Sequence, residues 1–301
     1  ATRLASARDL PAATQLFGAD EAAALASAAA SAGRRAGAAK EAVVLLPGIM
    51  GSLLTSVRGT TTLLWLNPAL FLRGELSYLQ LDDTGRLDRH PQIEGVAFAL
   101  DRLCYLKLAL TLRRETDLFE FPYDWRRSIL DNAGILARAL ERWAGGSDRR
   151  FTLVAHSMGG LVARAYLTRY PAAAAHRVDR VISLGTPYFG TVDAVQNLIF
   201  GNTLMNVAGQ LNGANNVDEL VLSMPSVYEL LPAPPGVLPP AVEPPVNWDL
   251  YNAAAWRRAG LRERFLRAAA RFHRLLAAAD PQVETVQVAG CNVDTAIALR
   301  R

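Results

Sequence analysis

Ala155-His156-Ser157-Met158-Gly159-Gly160 is the segment whose residue types and spacing best suit chemistry. It follows an apolar run, Phe151-Thr152-Leu153-Val154-Ala155, and precedes a helix-forming stretch, LVARAYLTRY. A serine on a sharp strand-to-helix turn is held in a strained conformation with its hydroxyl at the sheet edge, free to attack a carbonyl carbon. Ala155 and Gly159, two places to either side, are small enough to let strand and helix approach; Ala155 stands where glycine is usual. The N–H of Met158 begins the helix, where the dipole is positive and a developing oxyanion is stabilised. These residues point to acyl transfer through an acyl-serine on Ser157.

A second oxyanion donor is expected from the loop after an earlier strand. Leu46-Pro47-Gly48-Ile49-Met50-Gly51-Ser52 has that position, with Gly48 allowing close approach of the backbone and Ile49 N–H as the candidate donor. One well-placed donor lowers the barrier by roughly 3–4 kcal/mol.

Five short runs read as strands buried on both faces of a parallel sheet: 42–46, 118–121, 151–155, 181–184 and 285–289. A helix is expected from Leu130 to Gly145, with Leu136, Leu140 and Trp143 on one face and Gly145-Gly146 closing it. Strands alternating with helices define an α/β doubly wound sheet. Residues 1–40 read as an Ala-rich helical extension ahead of a domain at 41–301. The stretches 55–115 and 190–262 are too long for simple connections and are expected to form cap or lid insertions, the first with a hairpin turn at Leu81–Gly85. Leu63, Leu64, Trp65, Phe71 and Leu72 in the first insertion suit either an acyl-chain pocket or plain cap core.

Five blocks in order, VVLLPGIMGSLL, FPYDWRRS, LVAHSMGGLVARAY, ISLGTPYFGT and PSVYELLP, resemble the lecithin:cholesterol acyltransferase-like enzymes from about Val43 to Thr295. The resemblance implies an α/β-hydrolase fold with cap and lid. It also implies lipid-ester hydrolysis or O-acyl transfer to water or an alcohol, with Ser157 as nucleophile and Met158 and Ile49 as oxyanion donors. Asp124-Trp125-Arg126 matches a family block read as structural: a charge pair and an aromatic anchor. Asp124 precedes the nucleophile, whereas in this fold the acid follows it.

The triad order Ser, acid, His is not completed within these residues. His156 adjoins Ser157 but its side chain points elsewhere; His90 lies in the first insertion, His176 before a strand and His273 on an Arg-rich helix. Asp294 is the one acid after the last strand. The acid and histidine are therefore expected beyond Arg301. Without a base Ser157 is a weak nucleophile, so the alternative is a non-catalytic hydrolase-fold module that binds lipid or another ligand.

Net charge is +4, nearly all from arginine, and lysine occurs only at Lys40 and Lys107. The arginines are scattered without an aromatic-lined stripe, which argues against nucleic acid and leaves a lipid or ester as partner, met at most at a membrane surface. Cys104 and Cys291 are too few for a disulfide framework and read as buried or partly buried thiols. No metal-ligand spacing and no cofactor motif is seen. No secretory leader and no apolar run of spanning length is visible in the sequence.

Overall fold

The computed structural model describes residues 41–58, 62–200, 212–238, 243–292 and 295–300, together with residues 14, 22, 23, 26 and 27. Most of the extension at 1–40 and the candidate acid Asp294 lie outside the described residues.

A five-stranded parallel sheet carries the fold in the order β5-β1-β6-β7-β8. Its strands are β1 (Ala42–Leu46), β5 (Asp117–Glu120), β6 (Phe151–His156), β7 (Val178–Leu184) and β8 (Glu284–Val288). The five runs read from sequence thus form one sheet, β1 with the bounds read and the other four with an end shifted by one to three residues; β8, read as buried on both faces, is instead exposed along its length at the edge of the sheet. β1 shows why such strands are continuously apolar. Val43 and Leu45 pack with Tyr105 and Ala109 on one face, and Val44 and Leu46 join Ile129, Leu136 and Leu161 on the other. Alternating side chains point to opposite faces, so both sets must be apolar when both faces are covered.

Between β1 and β5 the chain makes a smaller antiparallel sheet, ordered β3-β2-β4, from β2 (Ser52–Ser56), β3 (Thr62–Leu63) and β4 (Gly95–Leu100). Helix α1 (Pro68–Arg73) lies between β3 and β4, and an isolated antiparallel bridge, Leu81 to Asp88, closes the turn expected at 81–85. The 55–115 stretch ends in helix α2 (Arg102–Glu115), which flanks the main sheet. Asp101 caps α2 by accepting from Leu103 N–H at 3.0 Å, satisfying one of the helix's orphan donors.

Helix α3 (Ile129–Ala144) runs between β5 and β6, capped by Ser128 and ended by Gly145 at φ +61°. Helices α4 (Met158–Arg169) and α5 (Pro171–Arg177) follow β6. After β7 come α6 (Val192–Phe200), α7 (Val217–Leu222), α8 (Pro225–Glu229) and α9 (Glu263–Ala278), which leads to β8. No helix among the described residues is long and apolar enough to cross a membrane. Cys104 and Cys291 are unpaired and exposed, contrary to the burial expected of them; each sits where its segment faces solvent rather than the sheet.

The Asp124-Trp125-Arg126 block joins the two sheets. Arg126 is fully buried; its Nε and Nη2 donate to the two carboxylate oxygens of Asp124 at 2.9 and 2.8 Å. Its Nη1 reaches Asp88 Oδ1 at 2.8 Å and the Leu79 carbonyl at 3.0 Å. Asp88 in turn accepts from Gly95 N–H at the start of β4. Burial alone would raise the Asp124 carboxyl, but the charge and hydrogen bonds of Arg126 overcome it and hold it below its ordinary value. Trp125 Nε1 donates to the Ser52 carbonyl at 3.0 Å, and Ser226 Oγ from the PSVYELLP block donates to the Trp125 carbonyl.

Glu229, also in that block, receives the start of α3: Ser128 Oγ donates at 2.7 Å and Ile129 N–H at 2.6 Å. Burial pushes its carboxyl up to about 7 despite those donors. Above its unfolded range Glu229 thus binds more protons folded than unfolded, and its stabilisation is lost as pH rises from 4.5 to 7. His273, whose ring meets main-chain groups of Glu229 and Leu231, is pushed down by burial to about 4 and acts with the opposite sign between 4 and 6.5. The two offset each other in the native protein. Glu229→Gln is expected to unmask the histidine: relative to the native protein its stability rises by roughly 3 kcal/mol from pH 4.5 to pH 8. Urea unfolding across that range checks it; a pH-independent difference would contradict the assignment.

Candidate active site

Ser157 sits between β6 and α4 with φ +51° and ψ −123°. A positive φ on a residue with a Cβ is strained, and such strain persists only where the surroundings enforce it. The enforcement is visible. Ser157 N–H donates to the Leu184 carbonyl of β7 at 2.9 Å, and its carbonyl accepts from Gly160 at 3.0 Å. Ser157 is only partly exposed. Its Oγ has no hydrogen-bond partner among the described residues.

The small residues around the turn are there for space. Ala155 is fully buried. A Cβ on Gly159 would stand 2.5 Å from the Pro47 carbonyl oxygen and 2.8 Å from that of Leu46, both main chain. A Cβ on Gly48 would stand 3.1 Å from Ser157 Cβ and from His156 Nδ1. The end of β1, its loop and the first turn of α4 therefore touch backbone to backbone. Gly159→Ala cannot be accommodated by a rotamer change. It is expected to lower stability by about 1–3 kcal/mol, read by denaturant unfolding.

The loop after β1 is a tight turn in which Gly51 N–H donates to the Gly48 carbonyl at 3.1 Å and Met50 has φ +61°. Several of its polar groups are committed. Tyr123 Oη donates to the Pro47 carbonyl at 2.7 Å, Gly48 N–H donates to Tyr105 Oη at 2.7 Å, and Trp65 Nε1 donates to the Met50 carbonyl at 3.0 Å. The N–H groups of Ile49 and Met50 find no acceptor among the described residues. Met158 N–H opens α4 and has no intrahelical acceptor either. The structure thus sets Ser157 Oγ, the Met158 amide and the Ile49 loop side by side.

None of the histidines bonds to Ser157 Oγ. His156 Nδ1 is 2.8 Å from Tyr105 Oη; His90 meets the Tyr78 ring edge-on at 4.9 Å; His176 is exposed, 3.8 Å from Asp148; His273 is buried with Nε2 unpartnered among the described residues. Asp124 is engaged by arginines, as its structural reading expects. Of the apolar residues at 63–72, Leu64 and Trp65 are core, with Trp65 packed edge-on against Trp125 at 5.2 Å, while Leu72 is exposed. A cavity of about 350 Å³ adjoins the turn, walled by Ile49, Met50, Leu66, Tyr105 and His156. Tyr105 had no signal in the sequence that marked it as a site residue.

A parallel sheet with helices packed on both its faces, and a strained serine between a central strand and the helix that follows it, is the α/β-hydrolase fold. A family model for lecithin:cholesterol acyltransferase matches residues 105–255, half of the chain, and the chain belongs to that family. Among proteins it is similar to are Phospholipase A(1) LCAT3 of Arabidopsis thaliana, 28% identical over 132 residues, and Lecithin-cholesterol acyltransferase-like 4 of the same plant, 26% identical over 139 residues. These alignments take in 40% and 42% of this chain but 29% and 25% of those proteins, so the chain spans less than a third of the relatives it matches. Among solved structures, the crystal structure of the Tle4–Tli4 complex gives a TM-score of 0.48 at 17% identity, covering 82% of this chain and 74% of that one. Bacillus licheniformis lipase BlEst2 in mature form gives 0.37 at 21% identity, covering 66% and 57%.

Proposed function

We propose that the protein cleaves or transfers the acyl group of a lipid ester through an acyl-enzyme on Ser157. The observation that carries this reading is the unpaired Ser157 Oγ at φ +51°, next to the unsatisfied amides of Met158 and Ile49. Ser157 Oγ attacks the ester carbonyl carbon, and the Met158 and Ile49 N–H groups hold the resulting oxyanion. The serine proton passes by way of a general base to the leaving alcohol as the intermediate collapses to the acyl-serine; water or a second alcohol then takes the acyl group, and its proton returns to Ser157. No described histidine bonds to Ser157 Oγ, so the general base and its acid are not assigned among the described residues. The smaller sheet and the described parts of the 190–262 segment are assigned to the cap; residues 201–211 and 239–242 of that segment lie outside the described residues. Family membership supports a lipid ester as substrate; approach to it at a membrane surface is part of the same proposal.

The test is to incubate the full gene product with phospholipid vesicles, with and without an added long-chain alcohol. Free fatty acid, and a new ester when the alcohol is present, are followed by mass spectrometry. Ser157-dependent release of fatty acid is expected. Vesicle binding with no acyl product would instead favour a non-catalytic lipid-binding module.

A further inference from the structure

The side of the nucleophile turn away from Ser157 Oγ carries an arrangement that the acyl-transfer step itself does not use. Tyr105 stands on the first turn of α2, with its N–H donating to the Asp101 carbonyl at 3.0 Å. Its hydroxyl accepts from Gly48 N–H at 2.7 Å and lies 2.8 Å from His156 Nδ1. A phenol has one proton, and the Gly48 amide is itself a donor. The phenol proton is therefore directed to His156 Nδ1, and His156 is the neutral tautomer protonated at Nε2. Partial desolvation pushes the Tyr105 hydroxyl up to about 12 and the His156 imidazole below its ordinary value. The two rings meet edge-on, 5.8 Å apart.

We infer that Tyr105 and His156 are positioning residues that clamp the oxyanion loop to the nucleophile turn, so that the Ile49 amide and Ser157 Oγ keep a fixed separation. The inference rests on Ser157 being the nucleophile. Three segments distant in sequence are joined by two short hydrogen bonds: the loop after β1, the start of α2 and the end of β6. Space around the clamp is kept by glycine. A Cβ on Gly51 would stand 2.8 Å from Tyr105 Cε2 and 2.9 Å from its Oη, and one on Gly48 would press on His156 Nδ1. The opposite side of the loop is fixed by Tyr123 on the Pro47 carbonyl. With the clamp removed, Gly48 N–H loses its acceptor and the Gly48–Ile49 peptide is free to rotate. Misplacement of a reacting geometry by about 1 Å can lower the rate by about 10²-fold. The effect falls on the chemical step, because the oxyanion forms only after substrate is bound.

The full gene product is assayed with a soluble p-nitrophenyl ester, and each variant's melting temperature is recorded. Tyr105→Phe and His156→Ala are expected to lower kcat by about 10- to 100-fold with KM within about twofold of native. His156→Asn, whose Oδ1 can stand where Nδ1 stands, is expected to recover kcat to within about threefold. A merely structural role would lower the melting temperature without splitting kcat from KM. Should Tyr105→Phe not fold, the His156→Ala and His156→Asn pair decides by itself. Native kcat in His156→Ala and Tyr105→Phe, with Ser157→Ala inactive, overturns the clamp and leaves the nucleophile standing. A folded native protein that hydrolyses no ester removes the nucleophile reading and the clamp with it.

Discussion

Ser157→Ala is expected to lower ester turnover by about 10⁴- to 10⁶-fold in kcat, the scale seen when a serine nucleophile is deleted from a triad enzyme. The size follows from what the hydroxyl does. Without it no acyl-enzyme forms, and the amides of Met158 and Ile49 can only assist water. The substitution removes one exposed-side oxygen and keeps the Cβ that the turn already accommodates at φ +51°, so stability should change little. Initial rates with a p-nitrophenyl ester, alongside a melting curve, separate the two. A folded variant with more than a tenth of native activity would contradict the role given to Ser157.

The second large effect is on stability. Arg126→Met is expected to lower the unfolding free energy by about 3–5 kcal/mol, because it leaves buried carboxylates without their counter-charge. Asp88 and Asp124 expose only 4% and 7% of their side chains, and Arg126 none. Arg127 still reaches Asp124 at 3.0 Å, but no other cation among the described residues pairs with Asp88. Removal also frees the Leu79 carbonyl and loosens Gly95, so the smaller sheet should detach first. Domains are marginally stable by about 5–15 kcal/mol, which makes this loss a large share of the total. Urea unfolding measures it; a loss under about 1 kcal/mol would show that the ion pair is not what joins the sheets.

How much of this could be read from residues alone depends on the range of the interaction. The strands of the main sheet were legible because burial on both faces forces uninterrupted apolar runs at 42–46 and 151–155. The turn at Ser157 was legible because Ala155 and Gly159 sit at a fixed short spacing around it. The smaller sheet was not: β4 is half-exposed and β2 pairs with it through an irregularity between Leu53 and Leu54, so neither shows clean alternation. Helix α2 was hidden for another reason. LCYLKLALTL is apolar nearly all round, which blurs its period. Longer-range pairs leave no local trace. Asp88 and Arg126 are 38 positions apart, and Tyr105 and His156 are 51 apart; only the strand order brings each pair together. The exposure of both cysteines likewise depends on which way their segments turn.

The most direct measurement is covalent labelling of the full gene product by a fluorophosphonate, with the modified peptide located by mass spectrometry. A single phosphonylated residue is expected in the peptide spanning the end of β6 and the first turn of α4, on Ser157, and prior addition of a lipid ester should slow its formation. Native folded protein that takes up no label, or label that settles on another serine with Ser157 unmodified, would contradict the account.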